Sequence, residues 1–447
     1  MDSYDHYIVA VIGGGPAGLF AARQLTTDGI NVVMINRDLK PGGLAEYGIY
    51  PEKVKMKEGL RKQFHQIINL PQIEYFGNVT IGESRDLNLE NLQRFGFQSI
   101  LVTAGAQGTK WLGLPGEELP RGVYHAKDLV YHYNKLPPYS EKEFAIGKRV
   151  ALVGVGNVMM DIARWLTRTV KVDEIVAVAR RGPAEVKFDK KEMEYLISNL
   201  NQEALQAEID RVAPVMVAIG QDPQAAKDYI LAALPKGIAP VSQTCFRFDF
   251  LASPTRIIGD DKGNVIGLEI ANTTLLPTSG DTKAKTLWTK RILNVDTVIF
   301  CIGDRVDEHF GLPVQWNEYV KNPNPQYPVD GISYEAYDPE TGLPIKGVFV
   351  AGWSREASSG LVGIARKDGE RGAKAILQFL QTMERAKNPR DILEKFQNRL
   401  ARLGKPIVTK EHLPALENAE LAEATRLGLE DFKFGTNEEM LKVMKLI

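Results

Sequence analysis

Short apolar runs rich in β-branched residues recur along the chain, and the principal ones end in glycine or other small residues. The first, His6-Tyr7-Ile8-Val9-Ala10-Val11-Ile12, reads as a buried parallel strand, because both faces of such a strand are covered and the polar alternation is lost. A helical pattern from about Ala17 to Asp28 follows it, and then a second strand, Val32 to Ile35. Further on, Glu58 to Ile68 reads as a helix, 73–81 as strand and turn, and Gln98 to Ala106 as another buried strand. Pro and Gly punctuate Gly113 to Pro120, as in a linker. After it the same logic restarts: a strand over 147–153, a helix to about Leu166, and a strand over Glu174 to Ala179. Helical patterns cover 189–201, 202–209 and 223–234. Alternation over Thr244 to Ile270, broken by Gly259 to Gly263, predicts antiparallel strands. Buried strands at Val295 to Ile302 and Gly347 to Gly352 precede a helix from about Arg366 to Met383.

The strand–glycine–helix junctions carry the candidate chemistry. Gly13, Gly15 and Gly18 have the G-x-G-x-x-G spacing of a dinucleotide-binding turn. The first glycine permits the tight turn, the second lets backbone approach a pyrophosphate, and the third lets helix and strand pack closely. The second unit repeats this with Gly154 and Gly156, but Met159 stands where the third small residue belongs. At the end of each second strand the two copies differ. The first has Asn36 where an acidic ribose binder is usual; Asn36 is either a weaker acceptor or a plain turn residue. The second has Arg180-Arg181-Gly182-Pro183. A cationic pair there suits a 2′-phosphate, hence NADP, unless both arginines are merely solvated. Lys40 to Pro51 is glycine-rich and short of polar side chains, fit either to press backbone on a flat aromatic ligand or to serve as an ordinary loop. Trp353 is either a platform for a cofactor ring or a core aromatic. The glycine-lined start of the last helix, Gly360 to Gly363, aims a positive dipole end at the same crevice.

Composition narrows the classes. The chain has 447 residues, 44% hydrophobic and 25% charged, with a formal net charge of −1. That is an ordinary soluble balance, with no basic excess pointing to nucleic acid and no run near the ~20 apolar residues of a membrane span. Two cysteines, Cys245 and Cys301, exclude a C-x-x-C relay and any four-cysteine cluster within the chain, and no metal site is expected. Cys301 is most simply a small apolar strand residue. A cytoplasmic protein is the simplest expectation.

Taken in order, Gly13 to Gly18, Gly43-Leu44-Ala45-Glu46-Tyr47-Gly48, Phe76-Gly77-Asn78-Val79, Gly154 to Val158, Arg180 to Pro183 and Ala351-Gly352-Trp353 form a set. That set resembles the adrenodoxin-reductase-like ferredoxin–NADP⁺ reductases, within the glutathione-reductase-type flavoproteins. The resemblance implies an α/β fold of two Rossmann-like, three-layer nucleotide-binding domains. An FAD-binding domain would be discontinuous over 1–105 and 303–447, and an NADP-binding domain would cover 106–302. It implies FAD contacts at Ala17, Leu44, Val79, Trp353, Gly360, Leu361 and Val362, to which the first turn and strand end add Gly13, Gly15, Gly18 and Asn36. It implies NADP contacts at Gly154, Asn157, Val158, Arg180, Arg181, Glu192 and Gly360, to which the second turn adds Gly156. Trp353 and Gly360 become the candidate catalytic positions. The implied activity is hydride exchange between NADPH and FAD, and single-electron exchange with ferredoxin or a similar iron–sulfur carrier. Other readings are an electron-input subunit of a larger iron–sulfur complex, like the flavin subunit of glutamate synthase, and a non-enzymatic nucleotide sensor. The chain departs from the family at Asn36, at Lys53-Val54 where His-Pro is usual, and over Arg355 to Gly360.

Overall fold

The computed structural model describes residues 7–358, 360–386 and 388–447, so His6 and Ser359 of the motifs above lie outside the described residues. The chain divides into two compact units: one of 1–110, 131–141 and 303–447, the other of 111–130 and 142–302.

In unit 1 the first strands are β1 (Ile8–Ile12), β2 (Asn31–Ile35), β3 (Ile73–Phe76) and β4 (Ser99–Val102), with helices α1 (Pro16–Thr27) and α2 (Val54–Ile68) between them. Unit 2 follows with β5 (Val123–His125), β6 (Arg149–Val153), α3 (Asn157–Trp165), β7 (Glu174–Val178) and β8 (Cys245–Asp249). It continues through β9 (Ala252–Gly259), β10 (Val265–Thr278), β11 (Asp281–Leu293) and β12 (Thr297–Phe300). The chain then returns to unit 1 with β13 (Glu335–Asp338), β14 (Leu343–Val350), α4 (Val362–Leu380) and α5 (Leu413–Leu427).

The unit 1 sheet has the order β13-β14-β4-β1-β2-β3, parallel except for β13. The strand order reverses between β1 and β4, which makes their carboxyl ends a topological switch point. Both faces are covered, which is why β1 is apolar at every position. Val9 and Val11 join the core of α1 and α4, whereas Ile8, Ala10 and Ile12 join the opposite one, with Leu92 and Phe396. The α1–α4 contact is close because α4 presents glycine: a Cβ at Gly369 would lie 2.1 Å from the Ala17 carbonyl oxygen.

Asp368, one residue earlier, is a buried carboxylate. It accepts hydrogen bonds from the Gly352 amide at 2.6 Å, the Tyr334 hydroxyl at 3.0 Å and the Arg355 Nη2 at 2.7 Å. These bonds fasten the turn after β14 to α4. Asp368→Asn should therefore destabilise unit 1 by roughly 1–3 kcal/mol, because a neutral amide weakens the bonds to the Gly352 amide, Tyr334 and Arg355 while Glu356 still pairs the guanidinium. An unchanged thermal melt would refute that.

Unit 2 has the all-parallel order β5-β12-β6-β7-β8. A second, antiparallel sheet, β9-β10-β11, packs Ile257, Leu268 and Ile270 on one face of it, against Ala151, Val176 and Val298. The alternation over 244–270 predicts part of this sheet. It misses the long β10–β11 hairpin, whose exposed strand alternates weakly and carries the fully exposed Trp288. The middle helices are Gln202–Ala218, running beyond Ile209 despite an internal Pro214, and Pro223–Leu231. Among the described residues no helix is long and apolar enough to cross a membrane.

Candidate functional site

Each unit builds the same device at the carboxyl end of its first long parallel strand. Gly13 has φ +110° and Gly154 has φ +116°, conformations that disfavour a side chain. A Cβ on either would meet a neighbouring strand's backbone: the Thr103 carbonyl oxygen at 2.4 Å, or the Cys301 carbonyl oxygen at 2.5 Å. A Cβ on Gly15 or Gly156 would meet nothing within 4 Å. These glycines therefore face open space, the place a ligand's phosphates would take.

The helices behind the turns are left uncapped. Gly15 and Gly156 are the N-caps of α1 and α3; neither has a side-chain cap, and neither helix carries an acidic residue in its first turn. The same holds for α4, whose N-cap is Leu361. A helix N-terminus that keeps its free N–H groups and excludes carboxylates is an anion site.

The two turns differ at their third position. Gly18 sits where a Cβ would approach the Gly13 carbonyl oxygen to 2.0 Å and the Thr103 hydroxyl to 2.6 Å. Met159 replaces it in unit 2 and is fully buried, so that junction has room.

In unit 1, the residues implied for FAD gather along the carboxyl edge of the sheet. Asn36 directly follows β2, and Val79 lies just after β3, its amide donating to the Asn36 carbonyl at 2.9 Å. Ala17 opens α1, and Trp353 lies in the turn after β14. Leu44 begins a single helical turn, Leu44–Tyr47, held by the Gly42 amide donating to the Gly14 carbonyl at 2.7 Å. Val79 is buried to 1%, whereas Leu361 is 64% exposed at the start of α4, beside Gly360 and Val362.

The Asn36 side chain is not spare. Its Oδ1 accepts from the Gly14 amide at 2.9 Å. Its Nδ2 donates to the Lys40 carbonyl at 2.9 Å, the Asp38 carbonyl at 3.0 Å and the Tyr75 hydroxyl at 3.1 Å. The amide braces the glycine turn against the loop after β2, work a carboxylate cannot do without its donors. Asn36→Asp should therefore cost about 1–3 kcal/mol of stability by facing two buried carbonyls with an acceptor. A melt equal to that of the parent would count against this.

In unit 2, Asn157 opens α3 and is locked to Asp189: its Nδ2 donates to the carboxylate at 3.0 Å, and its Oδ1 accepts the Asp189 amide at 2.8 Å. Val158 is 42% exposed beside it. Glu192 lies on the short helix Lys190–Met193. The arginines after β7 are inequivalent. Arg181 Nη1 donates to the Asp281 carboxylate at 2.9 Å and the Thr282 carbonyl at 3.3 Å, both on β11. Arg180 is exposed, and no ion pair engages it among the described residues.

Several contributors carry no local sequence signal. Thr103 closes the first turn by donating its hydroxyl to the Ile12 carbonyl at 3.0 Å, 91 residues away. Ser354 accepts the Gly105 amide at 3.0 Å. Arg355, within the segment that departs from the family pattern, turns onto Asp368 and over the Tyr334 ring. No group of three or more His, Cys, Asp or Glu is placed to hold a metal among the described residues.

Residues 7–228 match the pyridine nucleotide-disulphide oxidoreductase family. The chain is 26% identical to the NADPH-ferredoxin reductase FprA of Mycobacterium leprae, over 98% of this chain and 99% of that one. It is also 26% identical to the mitochondrial NADPH:adrenodoxin oxidoreductase of Salvelinus fontinalis, over 83% of this chain and 77% of that one. The structure of Mycobacterium tuberculosis FprA in complex with NADPH superposes with a TM-score of 0.80 at 24% identity, covering 98% of this chain and 99% of that one.

Proposed function

We propose that this chain belongs to the pyridine nucleotide-disulphide oxidoreductases and is an FAD-dependent ferredoxin–NADP⁺ reductase of the adrenodoxin-reductase-like kind. The observation that carries the proposal is the paired device: two glycine turns, each open above its second glycine and each backed by an uncapped helix. One device lies in a unit with an apolar, glycine-lined edge, the other in a unit with a free arginine.

In this reading unit 1 holds FAD. The Gly13–Gly18 turn and the N-terminus of α1 bind its pyrophosphate, while Leu44, Val79, Trp353 and Gly360 to Val362 line the path of its rings. Unit 2 holds NADP(H) through Gly154, Gly156, Asn157, Val158 and Glu192, with Arg180 and Arg181 on the 2′-phosphate. The flavin, once bound, supplies exchange of hydride with nicotinamide and of single electrons with a one-electron carrier. The chain's part is to bind and to orient. The α4 N-terminus directs positive potential toward the ring system, which favours negative charge there. Asp368 and Arg355 fix the Trp353 turn, so Trp353 and Gly360 act as positioning residues at the reacting rings. A small iron–sulfur protein is the proposed electron partner. The cytoplasm, where Cys245 and Cys301 would stay reduced thiols, is the proposed setting.

The test is an anaerobic NADPH titration of the purified, FAD-loaded protein, followed by a ferredoxin. NADPH should bleach the flavin absorbance stoichiometrically, and the reduced protein should then reduce the ferredoxin. A protein that takes up no FAD, or whose flavin stays oxidised in NADPH, would overturn the reading. Flavin reduction without ferredoxin reduction would remove the partner.

A further inference from the structure

We propose that Lys187, which no motif in the sequence marks, is a further cation of the NADP(H) site in unit 2 and helps set a preference for NADPH over NADH. This role presupposes that unit 2 holds NADP(H), as proposed above, and adds to it a residue that the arginine pair does not predict.

The segment after the short helical turn Pro183–Glu185 runs beside the second glycine turn. The Lys187 amide donates to the Val155 carbonyl at 2.9 Å, and Lys187 forms a parallel bridge with Gly156. Two residues on, the Asp189 amide donates to Asn157 Oδ1 at 2.8 Å. Between them Phe188 is buried to 1%, and its carbonyl accepts the Tyr229 hydroxyl at 2.8 Å. The backbone at Lys187 is thus tied down beside Gly156, the glycine above which a Cβ would meet nothing within 4 Å.

The Lys187 side chain is exposed, and no hydrogen bond or ion pair engages its ammonium among the described residues. Its charge is nevertheless felt on β11. The Asp281 carboxyl is held below its usual pKa by the Thr282 amide first, then by Arg181, with Lys187 adding to them. Lys187 therefore serves the same strand end as the arginines. There Arg181 is drawn to Asp281. Glu185 stands close by, accepting from Gln221 Nε2 at 2.6 Å and the Thr282 hydroxyl at 2.9 Å. Beside these carboxylates Arg180 alone is a thin match for a doubly charged phosphate, and Lys187 supplies a second unpaired cation. Its ammonium, a point charge on a flexible stem, strengthens binding where a 2′-phosphate is present and adds little where a hydroxyl replaces it. The pyrophosphate needs it less, because the uncapped N-terminus of α3 already offers free N–H groups there.

Steady-state kinetics of the full-length, FAD-loaded protein with NADPH and with NADH, ferricyanide being the acceptor, tests it. Lys187→Ala should lower kcat/KM for NADPH about tenfold through KM, and change it for NADH by less than about twofold. Lys187→Arg should keep most of the preference, and both variants should melt like the parent. An equal loss for the two nucleotides in Lys187→Ala, or an unchanged ratio between them, would overturn the proposal. Arg180→Ala, measured alongside, separates this assignment from the reading of unit 2. If Arg180→Ala abolishes the preference and Lys187→Ala keeps it, only the Lys187 assignment falls. If both keep it, the 2′-phosphate reading of this strand end falls as well.

Discussion

Gly18→Ala should unfold the first turn of unit 1, whereas Gly15→Ala, three residues earlier, should spare the fold and lose only the cofactor. The contrast follows from what each new methyl would meet. At Gly18 it would lie 2.0 Å from the Gly13 carbonyl oxygen and 2.6 Å from the Thr103 hydroxyl. Neither can yield: Gly13 sits in a left-handed conformation that only the tight turn explains, and Thr103 is pinned to Ile12. The strain should reach or exceed the ~1–3 kcal/mol of ordinary overpacking, because backbone must move rather than a flexible side chain. At Gly15 the methyl enters open space, so stability should change by less than about 0.5 kcal/mol. That space is the proposed seat of the pyrophosphate, and FAD affinity should fall sharply. Thermal melts without added cofactor, beside FAD binding by fluorescence quenching, separate the two effects. A Gly15→Ala protein that binds FAD like the parent would sink the phosphate assignment, and a Gly18→Ala protein that melts like the parent would sink the packing argument.

The second large effect is expected at the arginine pair, and it should be unequal. Arg180→Ala should weaken NADPH binding by about 2–3 kcal/mol, the worth of hydrogen bonds between charged partners, and leave NADH binding nearly unchanged. Arg181→Ala should cost less, because the Asp281 carboxylate already occupies one of its nitrogens at 2.9 Å. By the same reasoning Asp281→Asn should tighten NADPH binding, since it frees that guanidinium while a neutral amide remains. Equal losses for NADPH and NADH in Arg180→Ala, or weaker NADPH binding in Asp281→Asn, would count against a 2′-phosphate at this strand end.

Much of this architecture is legible along the chain because it is local. A strand covered on both faces must be apolar along its buried length, and β1 shows this at every position, while β6, β7 and β12 show it after a first polar residue, Arg149, Glu174 or Thr297. A turn that needs φ above +100° needs glycine, so Gly13 and Gly154 mark the junctions without help from the rest of the molecule. The β10–β11 hairpin was less legible. Its outer strand is exposed at most positions, and exposed strands feel little pressure to alternate. The helix over Gln202–Ala218 extends past the expected end at Ile209 and continues through Pro214, with Val212 and Met216 buried on its inner face.

What the amino-acid order determined by itself is the pair of parallel, glycine-punctuated sheets and the types of residue at their carboxyl edges. Those features depend on spacing within a few residues, where backbone sterics act directly. Only the tertiary structure decided how those residues are employed: Asn36 as a brace, Arg181 shared with Asp281, Arg355 turned onto Asp368, and Lys187 set beside the second glycine turn. Each of these depends on a partner that is remote in sequence or on another element, and hydrogen bonds and charges act on distance in space, which no local pattern records.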